Sequence, residues 1–225
     1  MVFRRNYGKL CGNGIVDLTQ RKVGDVMSTE AGRLPISAPA DWVQGPPQGQ
    51  WTYEEYAALP EDGNRYEVLQ GVLYMAPSPG RWHQEATGMI FHYLLVAVQF
   101  AGLGKVYVAP FDVILDAKNT VQPDVLVVLN AHLDRVTEKG VVGAPDLVVE
   151  VASPSTERID WREKLDAYVS AGVLEYWIVS PGTRTVEVLT LKQGAYSSLG
   201  VFYGPAVLPS RIVPGLNVKV EQFFS

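Results

Sequence analysis

The sequence has few of the residues that build disulfide-bonded or zinc-binding proteins. Cys11 is the only cysteine among 225 residues, which excludes an intramolecular disulfide and any site that needs several cysteines. The three histidines, His83, His92 and His132, show neither HxxxH nor HExxH spacing, so a zinc enzyme is not predicted. A GxSxG motif is also missing, which argues against a hydrolase with a serine nucleophile.

Long hydrophobic runs are missing as well. No apolar run reaches the roughly 18 residues that a membrane-spanning helix needs. The N-terminus also lacks the apolar stretch of a secretory signal, although Met27 is an alternative start. Together with the single cysteine, these absences lead us to expect a cytoplasmic protein.

The chain carries more acidic than basic residues. The 24 Asp and Glu exceed the 19 Lys and Arg, so the formal net charge is −5. This balance argues against a protein that coats nucleic acid through a broad basic surface. It is compatible with an enzyme whose clustered carboxylates hold divalent cations beside a phosphate, because the cations then supply positive charge.

The composition changes near residue 50. Residues 1–50 mix Gly, Pro and polar residues without a helical or strand period, which predicts a flexible or peripherally packed extension. Residues 51–225 are predicted to form a single domain. It begins with a capping box from Thr52 to Glu55 and continues with a hairpin from Arg65 to Met75 that turns at Gln70-Gly71.

Hydrophobic periodicity predicts a mixed α/β, or α+β, core in the order helix, three strands, helix, strand. A helix from about Arg81 to Ala101 is expected to cover a sheet with a face that includes Trp82, Ile90 and Leu94. The three strands are Lys105 to Leu115, bent at Pro110, then Val121 to Leu129 and Asp146 to Val151. A helix from about Ile159 to Ser170, a buried strand from Glu175 to Val179, its hairpin partner from Thr185 to Leu191 and short C-terminal strands follow.

Two acidic residues stand within or at the start of strongly apolar strands. Asp124 follows Pro123 at the beginning of one strand, and Glu150 lies inside Leu147-Val-Val-Glu-Val151. A buried carboxylate is costly unless it is paired or binds a metal. If the two strands are neighbours, the carboxylates form an oxygen-rich site suited to Mg²⁺ or Mn²⁺. The alternative is that each carboxylate caps a loop or pairs with a nearby arginine.

Lys164 is the candidate cationic partner of these carboxylates. It follows Glu150 on the next predicted helix and could orient water and stabilise a charged transition state. The alternative is an ordinary surface ion pair with Asp160, four residues earlier on the same helix face.

Several segments, taken in order, carry a family resemblance. They are Arg65-Tyr-Glu-Val-Leu-Gln-Gly71, Ala76-Pro-Ser-Pro79 with His83-Gln84, Val108-Ala-Pro-Phe-Asp-Val113, Val121-Gln-Pro-Asp-Val125, Gly143-Ala-Pro-Asp-Leu-Val-Val-Glu-Val-Ala-Ser-Pro-Ser-Thr156, Arg162-Glu-Lys164, Ala171-Gly-Val-Leu-Glu-Tyr-Trp-Ile-Val179 and Thr185-Val-Glu-Val188. From about Tyr53 to Leu191 the chain resembles the bacterial "putative restriction endonuclease" family, a group within the PD-(D/E)XK nuclease superfamily. Each segment alone is a weak signal, whereas their order and spacing are specific.

The resemblance implies a restriction-endonuclease-like core and a set of site residues. Asp124 and Glu150 correspond to the two acidic positions of the motif and would bind Mg²⁺ or Mn²⁺, with a carbonyl near Val151 as a further ligand. Ala152 stands where the superfamily has lysine, and the resemblance implies that Lys164 replaces that lysine from the following helix.

Glu67 and His83 match family segments outside the signature motif. Glu67 could add a carboxylate to a second metal, or it could form a salt bridge with Arg65 or contact a helix. His83 could contact phosphate or water, or make only a structural hydrogen bond. For Asp112 and Asp146 we favour structural roles.

Two functional hypotheses follow. The first is a Mg²⁺-dependent endonuclease that hydrolyses phosphodiester bonds of DNA, with Asp124 and Glu150 as metal ligands and Lys164 assisting the attacking water. The second is a catalytically silent relative that uses the same scaffold to bind DNA or a protein partner. A homodimer is compatible with the first hypothesis, since cleavage of both DNA strands commonly uses two active sites.

Overall fold

Two mixed β-sheets and a few helices form the described part of the chain. A computed structural model describes residues 15–16, 39–76, 78–152 and 163–225. In chain order the elements are β1 (Ile15–Val16), α1 (Tyr53–Ala57), β2 (Arg65–Leu69), β3 (Val72–Ala76), α2 (Arg81–Leu94) continued by a π-helical turn (Leu95–Gln99), β4 (Gly104–Val108), β5 (Asp112–Asp116), β6 (Asn119–Val121), β7 (Val125–Leu129), a 3₁₀ segment (Asn130–Arg135), β8 (Gly140–Val142), β9 (Leu147–Val151), α3 (Leu165–Ala171), β10 (Glu175–Ser180), β11 (Thr185–Lys192), β12 (Ala195–Tyr203) and a C-terminal 3₁₀ helix (Val220–Phe224).

The larger sheet contains the predicted core. Its seven strands are ordered β1-β12-β11-β10-β9-β7-β4, and only β9 and β10 are parallel neighbours. The chain therefore passes through α2, then three strands of this sheet (β4, β7 and β9), then α3, and returns as β10. This is the predicted order of helix, three strands, helix and strand, and the predicted fold class is confirmed.

The second sheet has five strands in the order β3-β2-β6-β5-β8. Its β2–β3 pair is the hairpin that the sequence predicted. The turn places Gln70 at φ 51° and Gly71 at φ 75°. A Cβ atom at position 71 would lie 2.5 Å from the carbonyl oxygen of Gly49, so this turn needs a glycine both for its backbone angle and for its close contact.

The larger sheet is covered on both faces. On one face Ile90, Leu94 and Val98 of the α2 segment pack against alternate residues of the central strands, including Val125, Val127, Val149 and Val151. On the other face the intervening residues, such as Leu126, Val128 and Val148, pack against the second sheet and α3. Strands that are buried on both faces read as continuous apolar runs, which explains why the sequence identified β7 and β9.

Two predicted strands are each divided in the structure. The segment Lys105 to Leu115 forms β4 in the larger sheet and β5 in the second sheet, so the prediction of one bent strand is wrong. Likewise β6 and β7 replace the single strand predicted from Val121 to Leu129, with the residues 122–124 between them. Alternation of apolar residues predicts an extended chain but carries no information on which sheet the chain joins.

The position of Trp82 differs from the predicted one. The helical period placed it on the face that covers the sheet, yet its residue surface is 64% exposed. Ala86 and Ile90, on the same predicted face, are buried. Trp82 belongs to the first turn of α2, where the periodic pattern continues beyond the area that the sheet covers.

Several predictions involve residues outside the described ranges. These are the structure of most of residues 1–50, the first part of the helix that was predicted to begin near Ile159, and the Asp160 partner of Lys164. The division into an extension and one domain stays a prediction. Within the described residues, Thr52 precedes α1 and its backbone N–H donates to Glu55 at 3.0 Å, as expected of a capping box. No helix in the described ranges is long and apolar enough to cross a bilayer.

A buried carboxylate connects β10 to the C-terminal segment. Glu175 has no exposed surface, and its oxygens accept hydrogen bonds from Trp177 Nε1 at 2.8 Å, Ser210 Oγ at 2.6 Å and the Arg211 backbone N–H at 2.7 Å. The apolar residues near this loop, Leu208 and Val213, are buried in the same core as α2. The carboxylate therefore holds the C-terminal segment against the larger sheet.

We expect the substitution Glu175→Ala to lower the free energy of unfolding by about 3–5 kcal/mol, because it removes the acceptor of three hydrogen bonds, one of them from the buried Trp177 indole. Urea unfolding monitored by circular dichroism measures this change. Glu221→Ala, at an exposed position of the C-terminal 3₁₀ helix, is the matched control and should change stability by no more than about 0.5 kcal/mol. Equal stabilities of the two variants would contradict the anchoring role.

Candidate active site

Asp124 and Glu150 lie side by side on neighbouring antiparallel strands. Val125 of β7 is the register partner of Val149 of β9, which brings Asp124 opposite the end of β9 that carries Glu150. By the alternation of side chains along a strand, Glu150 points to the same face as Val148, toward the second sheet. Both acidic residues are buried, with 7% and 3% of their surface exposed. The register therefore brings together the two carboxylates that the sequence singled out.

Asp124 is held by two contacts. One carboxylate oxygen, Oδ2, accepts the backbone N–H of Val151 at 2.8 Å and lies 3.1 Å from His83 Nε2. The bond from Val151 is of the capping kind that the alternative interpretation of Asp124 predicted. It also orients the carboxylate along the end of β9, where Glu150 is located.

Lys164 links the two sheets through two ion pairs. It directly precedes α3, and its Nζ lies 3.0 Å from Glu150 of β9 and 3.1 Å from Glu67 of β2. Only 5% of its surface is exposed. This ammonium therefore lies in the interior between two carboxylates and not at the surface, whereas the alternative pairing with Asp160 involves a residue outside the described ranges.

Glu67 belongs to the same cluster. Besides Lys164 it accepts the backbone N–H of Gln122 at 2.7 Å, two residues before Asp124. Arg65, the salt-bridge partner considered for Glu67, instead donates to the side-chain oxygen of Gln122 at 3.0 Å. Position 122 thus joins Glu67 to the loop that carries Asp124.

His83 enters the cluster from the first turn of α2. Its Nε2 faces Asp124, and its Nδ1 lies 3.4 Å from Thr87 Oγ1, one helical turn later. The imidazole is therefore a direct neighbour of a candidate metal ligand, and both of these contacts are with protein groups, as the alternative of a structural hydrogen bond expects.

Two polar residues of the cluster carried no site prediction. Tyr168 is fully buried, and its hydroxyl donates to Glu150 Oε1 at 2.7 Å. Burial and the neighbouring Glu150 charge raise the pKa of the Tyr168 hydroxyl well above its usual value. The sequence could have indicated Tyr168 as a site residue, because it stands four positions after Lys164 on a predicted helix and side chains at that spacing share a face.

Gln122 is the second such residue. Its side-chain amide donates to Asp112 Oδ1 at 2.8 Å, and Tyr56 donates to the same oxygen at 2.8 Å. Burial, followed by the Asp112 charge, raises the pKa of Tyr56. Asp112 thus has the structural role expected of it, as does Asp146, which accepts the Leu129 N–H at 2.8 Å and faces His132 at 2.8 Å.

The charges of the cluster are not balanced within the described residues that form it. Glu67, Asp124 and Glu150 contribute three carboxylates, whereas Lys164 contributes one ammonium, and His83 adds a positive charge only when it is protonated. Buried charges are costly unless they are compensated. A divalent cation would add positive charge beside these carboxylates, and carboxylate oxygen is the ligand type that Mg²⁺ and Mn²⁺ prefer.

The donor set therefore fits a metal in its chemistry, although it does not form a complete cage. In the described ranges no group of three or more His, Cys, Asp or Glu side chains is arranged to hold a metal ion. Lys164 lies between Glu67 and Glu150, which accounts for the separation of those two carboxylates. Mg²⁺ commonly keeps several waters and uses only one or two protein carboxylates, so a site with two carboxylates matches its usual protein ligand set.

Comparison with known proteins identifies the family and the fold of the chain. The chain is similar in structure to a protein described as "a putative nuclease belonging to DUF820 from Anabaena variabilis ATCC 29413", with a TM-score of 0.66 and 20% sequence identity over 77% of this chain and 97% of that chain. At this identity the likeness establishes the fold. Among curated proteins, no sequence matches. The sequence profile of the Uma2 family, described as "Putative restriction endonuclease", matches residues 53–221, a span that contains every residue of the cluster. The chain belongs to the Uma2 family, and its fold is that of a restriction-endonuclease-like nuclease.

Proposed function

We propose that this protein is a metal-dependent endonuclease that hydrolyses phosphodiester bonds of DNA in the cytoplasm. The observation that carries the proposal is the convergence of Asp124, Glu150 and the buried Lys164 at one end of the central strands. Two carboxylates and a lysine are the groups needed to hold a divalent cation and to stabilise a phosphate that gains negative charge during the reaction. Membership of a nuclease family supports the same reaction class.

Each residue has a distinct proposed role. Asp124 and Glu150 would hold Mg²⁺ or Mn²⁺, which when bound polarises the phosphate and stabilises the leaving oxygen. The Val151 N–H and His83 orient Asp124, while the Tyr168 hydroxyl and Lys164 orient Glu150. These contacts keep the carboxylates in place before substrate arrives, so that little reorganisation is needed during the reaction.

Lys164 would act on the substrate directly. Its ammonium lies at the carboxylate cluster and can donate to the attacking water or to a non-bridging phosphate oxygen. Glu67 accepts from Lys164 on the other side and so fixes the position of Nζ. We therefore treat Glu67 as a positioning residue. Cleavage of both strands would use two copies of the chain, as in a homodimer.

The first prediction concerns the metal ligands. Asp124→Asn and Glu150→Gln should each lower Mg²⁺- or Mn²⁺-dependent nicking of plasmid DNA by about a hundredfold or more, because the amide removes the negative charge that holds the cation. Asp166→Asn, at an exposed position of α3, is the matched control and should retain activity. Nicking that persists in EDTA and in both variants would refute the site, and wild-type protein without any nicking would favour the silent scaffold.

The second prediction measures metal binding without turnover. Ligands that bind only the folded state raise its stability, by about 2.7 kcal/mol when the free ligand is a hundred times its Kd. Saturating Mn²⁺ should therefore raise the melting temperature of the wild type and of Asp166→Asn, and should have a much smaller effect on Asp124→Asn. Equal shifts in all three proteins would place the metal elsewhere.

The third prediction separates the structural and chemical roles of Lys164. Lys164→Met should lower the free energy of unfolding by about 3–5 kcal/mol, because Glu67 and Glu150 lose their buried cation. The double variant Lys164→Met/Glu67→Gln removes one of these charges and retains the acceptor for Gln122 N–H, so it should recover part of the stability.

Nicking activity should not recover together with this stability. A double variant that is stable in urea unfolding but inactive on plasmid DNA supports a chemical role for Lys164. If nicking instead returns in proportion to stability, Lys164 serves only to support the fold.

A further inference from the structure

A cleft of about 380 Å³ between α2, the turn after β10 and the C-terminus has no role in the proposed hydrolysis. Its volume lies at the lower end of the range of roughly 300–1,000 Å³ that is usual for small-ligand sites. The lining includes Trp82 and Glu85 from α2, Pro181, Gly182 and Arg184 from the turn between β10 and β11, and Phe224 near the C-terminus.

The turn that lines the cleft follows the same end of the central strands at which the cluster lies. Val179 of β10 is the parallel register partner of Val151, whose N–H holds Asp124, and the turn that begins at Pro181 follows β10 directly. On the side of α2, Trp82 precedes His83, the neighbour of Asp124. Both walls of the cleft are therefore continuous with the elements that carry the cluster.

Trp82 presents an aromatic surface that the protein covers only in part. It is 64% exposed, although exposed indole surface is unfavourable in water. The Arg81 guanidinium lies 4.6 Å from the centre of the ring, and Arg81 Nε in turn donates to Glu85 at 2.7 Å. These contacts hold the indole in one orientation without burying it.

The other wall supplies a cation. Arg184 has a φ of 55°, in the left-handed region that disfavours residues with a side chain, and its guanidinium donates to the carbonyl oxygen of Phe224. The cleft thus combines an aromatic face, a guanidinium and the Glu85 carboxylate. An aromatic face stacks on a nucleobase, arginine binds phosphate or base oxygens, and a carboxylate accepts from a base amino group.

We propose that this cleft binds an unpaired nucleobase of the substrate strand, with the base stacked on Trp82. The inference rests on the proposed nuclease function and adds that the substrate is single-stranded or locally unpaired next to the scissile phosphate. In a continuous duplex both faces of each base are covered by its neighbours, so the duplex offers no ring face to Trp82. Stacking also needs few phosphate contacts, which suits a domain with an excess of carboxylates.

The test measures binding in EDTA, where the proposed cleavage does not proceed. A labelled single-stranded oligodeoxynucleotide of about 12 nucleotides is titrated with the full chain at low salt, and fluorescence anisotropy gives the affinity. Trp82→Ala should weaken binding by roughly tenfold, since stacking on one aromatic residue typically contributes that much, and Trp82→Phe should lose less. A duplex of the same sequence should bind more weakly and respond little to Trp82→Ala.

Trp42→Ala is the matched control. Trp42 is exposed to a similar degree, 61%, but lies in the loop before α1 and does not line the cleft. Its loss should leave the affinity unchanged. Melting temperatures close to that of the wild type for both variants, as expected at exposed positions, show that differences in affinity are not caused by unfolding.

The outcomes distinguish this inference from the proposed function. If the wild type nicks plasmid DNA with metal but Trp82→Ala binds the single strand as well as the wild type does, the cleft proposal fails and the nuclease proposal stands. If no nicking is seen while Trp82→Ala still loses affinity, the cleft binds nucleic acid on a silent scaffold. Failure of the wild-type protein to bind the single strand, or a preference for duplex, overturns the cleft proposal.

Discussion

The ammonium of Lys164, buried between Glu67 and Glu150, couples the main parts of the structure. Glu67 belongs to the second sheet, Glu150 to a central strand of the larger sheet, and Lys164 to the residues that lead into α3. A charge in the interior is tolerated only when its partners are held at short distances. The packing of the second sheet and of α3 on one face of the larger sheet must therefore satisfy these two ion pairs. Asp124 precedes the strand that pairs with β9, and its carboxylate is oriented from the end of β9.

The distribution of charge changes the meaning of the acidic composition. An excess of carboxylates over the whole chain argues against broad electrostatic contact with DNA. Three of these carboxylates are buried in one cluster, where Glu67 and Glu150 pair with Lys164 and where Asp124 and Glu150 are the proposed metal ligands. The proposed contact with nucleic acid is correspondingly local, through a cation at the cluster and an aromatic surface at Trp82. Such a protein binds substrate by a few directed interactions rather than by a basic surface.

Much of the fold could be predicted because its central strands are buried on both sides. Continuous apolar runs mark β7 and β9, and the helical period of Ile90, Leu94 and Val98 marks the face of α2 that covers them. The predictions are wrong where a local sequence pattern does not determine the tertiary arrangement. The segment from Lys105 to Leu115 is extended throughout, yet its two halves join different sheets. Trp82 fits the apolar period of α2 but lies in its first turn and remains exposed, because periodicity does not show how far the sheet extends beneath a helix.

By itself, the sequence determined the order of helices and strands, because these follow from local periodicity. It also identified Asp124 and Glu150 in apolar strands and a lysine on the following helix, because a buried charge is costly unless it has a partner. Only the tertiary structure decided the partners. Lys164 meets Glu67 across 97 positions of sequence, the Tyr168 hydroxyl reaches Glu150, and α2 forms a cleft with a turn about a hundred residues later. Such pairings depend on strand order and register between distant segments, which side-chain periodicity does not encode.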